Sequence, residues 1–418
     1  MTQPHAETLF GAPYETLAQK YRPVFQRIRD TALQREHNRQ LGVDAIQWLK
    51  QAGFGAVRVP VEYGGDGATL PQLFQLLIEL ADADSNIVQA LRGHFAFVED
   101  RLNAPRDAGN EVWLRRFVAG DLVGNAWTEI GDVAIGDVIT RISKRDGRWV
   151  ANGRKYYSTG SIFADWVDLY ARLEDGTDVI AAVSSHQPGV THHDDWNGFG
   201  QRTTGSGTSV YENAAVENEN IFPFSSRFKY QTAFYQLFHL ATLAGIARAI
   251  TREVAQQVRE RKRIFSTGNA SAVAQDVQVQ QVVGEVSALA YAAEATAIRA
   301  TFAAQRAYDA RWAGDAAQER QANIDAELES AQGQVAFSDL VLRASTQFFN
   351  ALSASATASG KALDRHWRNA RTVASHNPLI YKARIIGEWH INGTEPPYVW
   401  QIGAGPGTTA TPPIAKAA

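Results

Sequence analysis

The side chains with the most chemical capacity fall in a few short runs. Arg365 to Lys382, RHWRNARTVASHNPLIYK, carries three arginines and two histidines and encloses Pro378. An imidazole titrates near neutral pH and can donate from either ring nitrogen, so His376 could hold or move a proton. On the loop alone, a helix-terminal or surface histidine is the better reading. YSTGS (Tyr157–Ser161) offers the hydroxyls of Ser158, Thr159 and Ser161, which strand-end turn chemistry would also explain. RERKRIF (Arg259–Phe265) is basic, but it reads as the C-terminal turn of a helix, where cations are favoured anyway. His192-His193-Asp194-Asp195 resembles a metal set. Neighbours on an extended chain point opposite ways, so THHDDW reads as a polar loop and no metal is expected. The chain has no cysteine, which excludes thiolate nucleophiles, disulfides and cysteine-based metal sites. No Walker loop or GxGxxG is present, and GDGATL (Gly65–Leu70) is too short and misplaced to cradle a phosphate.

The elements that position these residues follow from periodicity. A chain of 418 residues exceeds what one compact core holds, so two or three domains are expected. Four stretches up to Gly120, among them YETLAQKYRPVFQRIRDTALQRE and LPQLFQLLIELADAD with Thr69 as its cap, have apolar residues three to four apart and predict helices. From Leu122 the pattern alternates. TRISKRDGRWVANGRKYYSTG turns at Asp146-Gly147, WVDLYARLEDGTDVIAAVSS turns at Asp175-Gly176, and TSVYENAAV is a further strand. After Lys229 three long alanine-rich helices return, with a shorter one after Pro378. The expected division is therefore helices over 1–121, a β-domain over 122–228, a helical bundle over 229–395 and a tail over 396–418. A formal net charge of −3 gives no footprint for nucleic acid or an acidic membrane surface. No stretch reaches the roughly 18 apolar residues of a membrane span, and the first residues lack a signal pattern, so a cytoplasmic protein is expected.

Five segments, in this order, resemble the acyl-CoA dehydrogenase superfamily. They are GFGAVRVPVEYGGDG (Gly53–Gly67), NAWTE (Asn125–Glu129), NGRKYYSTGSIFADW (Asn152–Trp166), WNGFGQRTTGSGTSVYENAAV (Trp196–Val216) and DRHWRNAR (Asp364–Arg371). The resemblance implies an α+β, mainly α fold: an N-terminal helical domain, a central β-barrel domain and a C-terminal four-helix bundle. Where the superfamily's dehydrogenases carry a catalytic glutamate, the loop after the arginine-rich turn reads TVASHNPLIYK and supplies His376. LRGHFAFVED (Leu91–Asp100) and IIGEWHINGTEPP fit the superfamily's flavin-dependent monooxygenase branch. A dehydrogenase needs a carboxylate base. An oxygenase must hydrogen-bond and protonate a C4a-hydroperoxide and keep water away from it, a task that suits histidine.

Residue by residue, the resemblance implies His376, Asn125 and Ser161 as catalytic. It implies flavin contacts from Trp127, Thr128, Ser158 and Thr159. His94, Phe97, Phe234, Phe238 and His239 would border an aromatic substrate pocket, although a stripe at that spacing is equally what a buried helix face shows. The glycine loop that binds FAD pyrophosphate in the dehydrogenases is replaced by FFNALSASATASGKALDR. Side chains there restrict close approach to a pyrophosphate, which favours FMN over FAD, with reduced FMN supplied by a separate flavin reductase. Arg263, reaching a neighbouring subunit's flavin, and Lys361 are the candidate phosphate ligands. The expected activity is oxygenation by O2 of a small apolar sulfur-containing, nitrogen-containing or aromatic substrate, in a homotetramer. An acyl-CoA dehydrogenase or oxidase is the alternative, with Glu388 and Glu395 as the nearest carboxylates downstream. A non-catalytic flavin-binding member is the third reading.

Overall fold

The structure, a computed structural model, describes residues 11–131, 133–399 and 403. Most of the expected tail lies outside them. Five helices come first: α1 (Gly11–Asn38), α2 (Val43–Gln51), α3 (Leu70–Ala83), α4 (Ser85–Asn103) and α5 (Ala108–Ala119). On α1, Tyr14, Ala18, Tyr21, Phe25 and Ile28 recur at three-to-four spacing and are all buried. Thr69 caps α3 in a reciprocal box: its hydroxyl accepts from Gln72 N, and Gln72 Oε1 accepts from Thr69 N at 2.9 Å.

Helix α4 is buried along its entire length. It nonetheless carries Gln89, Arg92, His94, Glu99, Asp100 and Arg101. A buried polar group is costly without a partner, so where each of these finds one matters to the stability of the helix.

The middle of the chain forms nine strands: β1 (Val123–Ala126), β2 (Thr128–Glu129), β3 (Arg141–Arg145), β4 (Arg148–Tyr156), β5 (Trp166–Leu173), β6 (Asp178–Ser184), β7 (Val190–His192), β8 (Ser209–Val216) and β9 (Ile221–Pro223). They share one sheet in the order β7-β8-β4-β3-β5-β6-β9, with β1 added in parallel to β5 and β2 antiparallel to β4. The Asp146-Gly147 hairpin forms as expected. Both residues have positive φ, 50° and 79°, which matches the twist a two-residue turn needs. Ile142, Ala151, Val167, Leu169, Val183 and Tyr211 build one apolar core in the sheet. Ile180 and Ala182 on β6 pack with Phe97, Trp113 and Phe117 of α4 and α5.

The remaining helices are α6 (Gln231–Glu260), α7 (Val277–Ala313), α8 (Ala316–Gln347), α9 (Arg365–Ala374) and α10 (Leu379–Asn392). Buried Ala290, Ala293, Ala297, Ala300, Ala304 and Ala307 let α7 approach its neighbours closely. The run expected as an arginine-rich turn is the helix α9. His366, Asn369, Ala370 and Val373 bury one face at helical spacing, while its arginines reach out to the loops that hold it. Arg368 joins Glu36 on α1 at 2.8 Å to the carbonyl of Phe199 at 2.9 Å, so three parts of the chain meet at this helix.

Candidate active site

Helices α4 and α6, strand β1 and the loop after α9 come together around His239, with His376 exposed at the outer edge of the group. On α6, Tyr235 and His239 lie one turn apart on one face, and Phe234 and Phe238 lie one turn apart on another. His239 stands over the ring of His376, with centroids 4.3 Å apart and planes tilted by 37°. Gln89 on α4 bonds His239 Nδ1 and the hydroxyl of Thr242, each at 3.1 Å. One turn further along α4 and one turn back along α6, the Arg92 guanidinium lies 5.2 Å from the Tyr235 ring. The next residue, Gly93, presses on Asn125 of β1: a Cβ there would stand 3.0 Å from the Asn125 backbone nitrogen. The Asn125 carbonyl accepts from the hydroxyl of Ser161 at 3.0 Å.

Asn377 sets the orientation of His376. Its Nδ2 donates to Gln236 Oε1 on α6 at 2.7 Å, and its carbonyl accepts from Gln334 Nε2 on α8 at 2.7 Å. The amide Oδ1 of Asn377 is therefore the acceptor facing His376, whose Nδ1 donates to it at 3.2 Å. A neutral ring held this way keeps its lone pair on Nε2. The His376 side chain is exposed; the protein packed around the ring pushes its pKa down to about 4, with the Arg92 charge adding to the effect. Burial holds His239 well below the usual imidazole range, aided by His376 and Arg92. Both rings are neutral at pH 7. His239 Nε2 and Asn125 Oδ1 are buried without a hydrogen-bond partner, as is the Ser158 hydroxyl.

Of the residues singled out from sequence, His376, His239, Asn125 and Ser161 are brought together here. Ser158 and Thr159 follow on the turn that ends at Ser161, where Thr159 bonds the Ser206 hydroxyl at 2.8 Å. Trp127 packs against Tyr235 with centroids 5.9 Å apart and donates from its indole to Asp168 at 3.2 Å. Thr128 pairs with Tyr156 in the sheet beside it.

The remaining residues singled out from sequence are engaged elsewhere in the described chain. His94 has no ring nitrogen left for a substrate: Nε2 bonds the Gly55 carbonyl at 2.8 Å, and Nδ1 accepts from Val123 N at 3.2 Å. It ties a loop to a strand. Phe97 packs on Trp113 with centroids 4.8 Å apart, and Phe234 and Phe238 pack on Phe74 at 5.5 and 5.3 Å. All three are core residues, so the aromatic pocket they were expected to border is not made by them. Lys361 bonds Gln257 at the far end of α6. At 1.5 Å per residue, Gln257 lies about 27 Å along the helix from His239, and Arg263 follows further out beyond the end of α6. Neither cation reaches this site within one chain; a phosphate role for either needs another subunit. His192 and Asp194 go to separate partners, Ser209 and Arg39.

Sequence reasoning missed Arg92, Gln89, Gln236 and Asn377. One signal was present: an arginine and a glutamine within a run that is otherwise apolar enough for a buried helix. Also missed was a buried pair behind the site. Glu327 on α8 is pushed up to about 8 by burial, Lys382 on α10 is pushed down to about 8, and the charge of each favours the charged form of the other.

A pH dependence of stability follows. His94 and His192 each titrate at about 4 in the folded chain, mainly through burial. The unfolded chain binds protons at these rings near pH 6.5, before the folded chain does. Stability is therefore full above about pH 6.5 and is lost as the pH falls toward 4, by at most roughly 3 kcal/mol for fully buried His94. Urea midpoints at pH 7.5, 6 and 5 should decline in that order; equal midpoints would contradict these environments.

Comparisons with known proteins agree with this architecture. Residues 237–379 match the model of the acyl-CoA dehydrogenase C-terminal domain family. The chain is 28% identical over 359 residues to a probable FMNH2-dependent monooxygenase, SfnC, of Pseudomonas putida, covering 83% of this chain and 88% of that one. It is 26% identical over 398 residues to a dibenzothiophene monooxygenase of Rhodococcus qingshengii, covering 90% and 93%. Among solved structures, FMN-bound TdsC of Paenibacillus sp. A11-2 superposes with a TM-score of 0.82 at 24% identity over 91% of this chain and 98% of TdsC. The methanesulfinate monooxygenase MsuC of Pseudomonas fluorescens gives 0.80 at 24% identity, with the same shares covered.

Proposed function

From a chain that has the acyl-CoA dehydrogenase fold and resembles that superfamily's flavin-dependent monooxygenases over most of its length, we propose a two-component monooxygenase that uses reduced FMN and O2 on a small-molecule substrate. The observation that carries this reading is the ring of His376 set 4.3 Å from that of His239, on the loop where the resemblance puts the dehydrogenases' carboxylate. The alternative bases for a dehydrogenase are occupied elsewhere. Glu388 accepts from Asn392 and Thr394, and Glu395 pairs with Arg320 and Tyr398.

Unpartnered polar atoms on β1 and on the 157–161 turn support a flavin ring here. Buried Asn125 Oδ1 and the Ser158 hydroxyl have no partner within the protein, and an isoalloxazine edge presents the N–H and C=O groups that would match them. Bound reduced flavin would supply the dioxygen chemistry. The protein's part falls to named atoms. His376 Nε2 would accept a hydrogen bond from an O–H group at the reacting position and orient it. Asn377, fixed by Gln236 and Gln334, keeps Nδ1 protonated so that Nε2 stays available. Ser161 fixes the Asn125 backbone, and Trp127 and Tyr235 form an apolar wall against water.

A separate reductase supplies reduced FMN in this reading, and the protein works in the cytoplasm. A homotetramer is supported by apolar side chains that α7 and α10 present to solvent, among them Tyr291, Phe302, Ile380 and Ile391. Among the described residues no helix is long and apolar enough to cross a membrane. The test is incubation with chemically reduced FMN, 18O2 and a panel containing indole, dibenzothiophene and methanesulfinate. A product carrying one labelled oxygen supports the proposal. A protein that holds FAD and is bleached by an acyl-CoA would establish the dehydrogenase instead.

A further inference from the structure

Five arginines of the described chain are buried: Arg35, Arg58, Arg92, Arg101 and Arg227. Four have a carboxylate. Arg35 pairs with Asp84 at 2.9 Å, Arg58 with Glu99 at 3.0 Å, Arg101 with Asp100 at 2.6 Å and Arg227 with Asp168 at 2.9 Å. Arg92 is the exception. Among the described residues no carboxylate forms an ion pair with it, its Nε is buried without a hydrogen-bond partner, and its one ring neighbour is Tyr235.

A guanidinium does not shed its proton in a protein, so it cannot escape the cost of burial by becoming neutral. An uncompensated buried charge costs several kcal/mol. The groups around Arg92 do not relieve it. His239 and His376 are close enough to feel its charge and are themselves held neutral. Asp100 and Asp168 are engaged by Arg101 and Arg227, and Glu327 is matched by Lys382. Arg92 thus holds an unneutralised positive charge between the two histidines on one side and Asn125 on the other.

We propose that Arg92 binds the negatively charged group of the substrate, and that the substrate is a small organic oxyanion such as a sulfinate or carboxylate. This rests on the monooxygenase reading of the same site and deepens it, because it replaces the apolar substrate expected from sequence with a charged one. The planar guanidinium suits a two-oxygen anion, which it can hold through parallel N–H···O bonds. An oxyanion held there lies beside His376, so the rest of a small molecule is delivered to the reacting position. The other anion that could occupy the place is the flavin itself, through its phosphate or its reduced ring, and the test separates the two.

The test compares wild type with Arg92→Gln and Arg92→Lys, using methanesulfinate and acetate as anionic probes and indole as a neutral one. Binding to the FMN-loaded protein is read from the perturbed flavin absorbance, and FMN affinity is measured separately. Expected are saturable methanesulfinate binding to wild type, a loss of about 100-fold in Arg92→Gln, and partial recovery in Arg92→Lys. FMN affinity should stay within about threefold, since the flavin is not the partner. The flavin-free Arg92→Gln protein should melt at or above the wild-type temperature, because it no longer buries an unpaired charge. Three results would each overturn the proposal: FMN binding that weakens as much as probe binding, an Arg92→Gln protein that melts well below wild type or does not fold, or a wild type that binds neither anion. A wild type that oxygenates indole yet binds neither anion would retain the monooxygenase and remove only the anionic substrate.

Discussion

His376→Ala is expected to separate flavin oxidation from product formation. The substitution removes the acceptor at the site and leaves β1, the 157–161 turn and α6 in place, so FMN affinity should change by no more than a few-fold. Product formation should fall by at least about 100-fold, the usual span for loss of a positioned acid or base. Oxygen should still be consumed, and it should appear as hydrogen peroxide. The ratio of product to oxygen consumed reads this directly. Coupled turnover in the variant would remove His376 from the chemistry, whatever the effect on rate. Asn377→Ala should show the same defect in milder form, because it frees the ring to rotate and exchange tautomers without deleting it.

The largest effect on stability is expected from Arg227→Met. Arg227 ties the β-domain to the two central helices. It donates to Asp168 on β5 at 2.9 Å and to the Tyr235 hydroxyl on α6 at 3.1 Å, and it lies 4.6 Å from the Trp127 ring. Asp168 is wholly buried and would be left without its cation. Breaking one side of a buried pair costs roughly 3–5 kcal/mol, much of it the penalty for the stranded partner. Urea unfolding of the variant should show a loss of that size. Pairing it with Asp168→Leu should recover most of the loss, since removing both charges removes the penalty. A single variant as stable as wild type would show that the junction is held by apolar packing instead.

Much of the fold was legible because periodicity and turn chemistry agree. Thr69 with Gln72, Asp146-Gly147 and Gly120 each mark a boundary through a local mechanism that needs no distant contact. α9 was hidden for the opposite reason. Its charge pattern reads as a turn, and only the arrival of Glu36, Phe199 and Glu253 from elsewhere explains its arginines and His366. In the site, His376 was legible through the resemblance, but its orientation was not, because that depends on Gln236 and Gln334 from two other helices. The aromatic run on α6 was misread for a geometric reason. Phe234 and Phe238 share one face and Tyr235 and His239 share another, and sequence spacing alone does not say which face meets the site. His94 was misassigned because both its bonds are to main-chain atoms far along the chain, which side-chain identities do not reveal. Arg92 went unnoticed because an arginine in an amphipathic helix ordinarily faces water. Only full burial of α4 makes it an anomaly.

The central claim is that the site beside His376 controls oxygen activated on reduced flavin. Stopped-flow mixing of the protein and reduced FMN with oxygenated buffer tests it most directly. The account predicts a transient flavin spectrum, distinct from both reduced and oxidised FMN, that persists in wild type and decays much faster to oxidised FMN in His376→Ala. Direct conversion of reduced to oxidised FMN at the rate of free flavin, alike in both proteins, would contradict it.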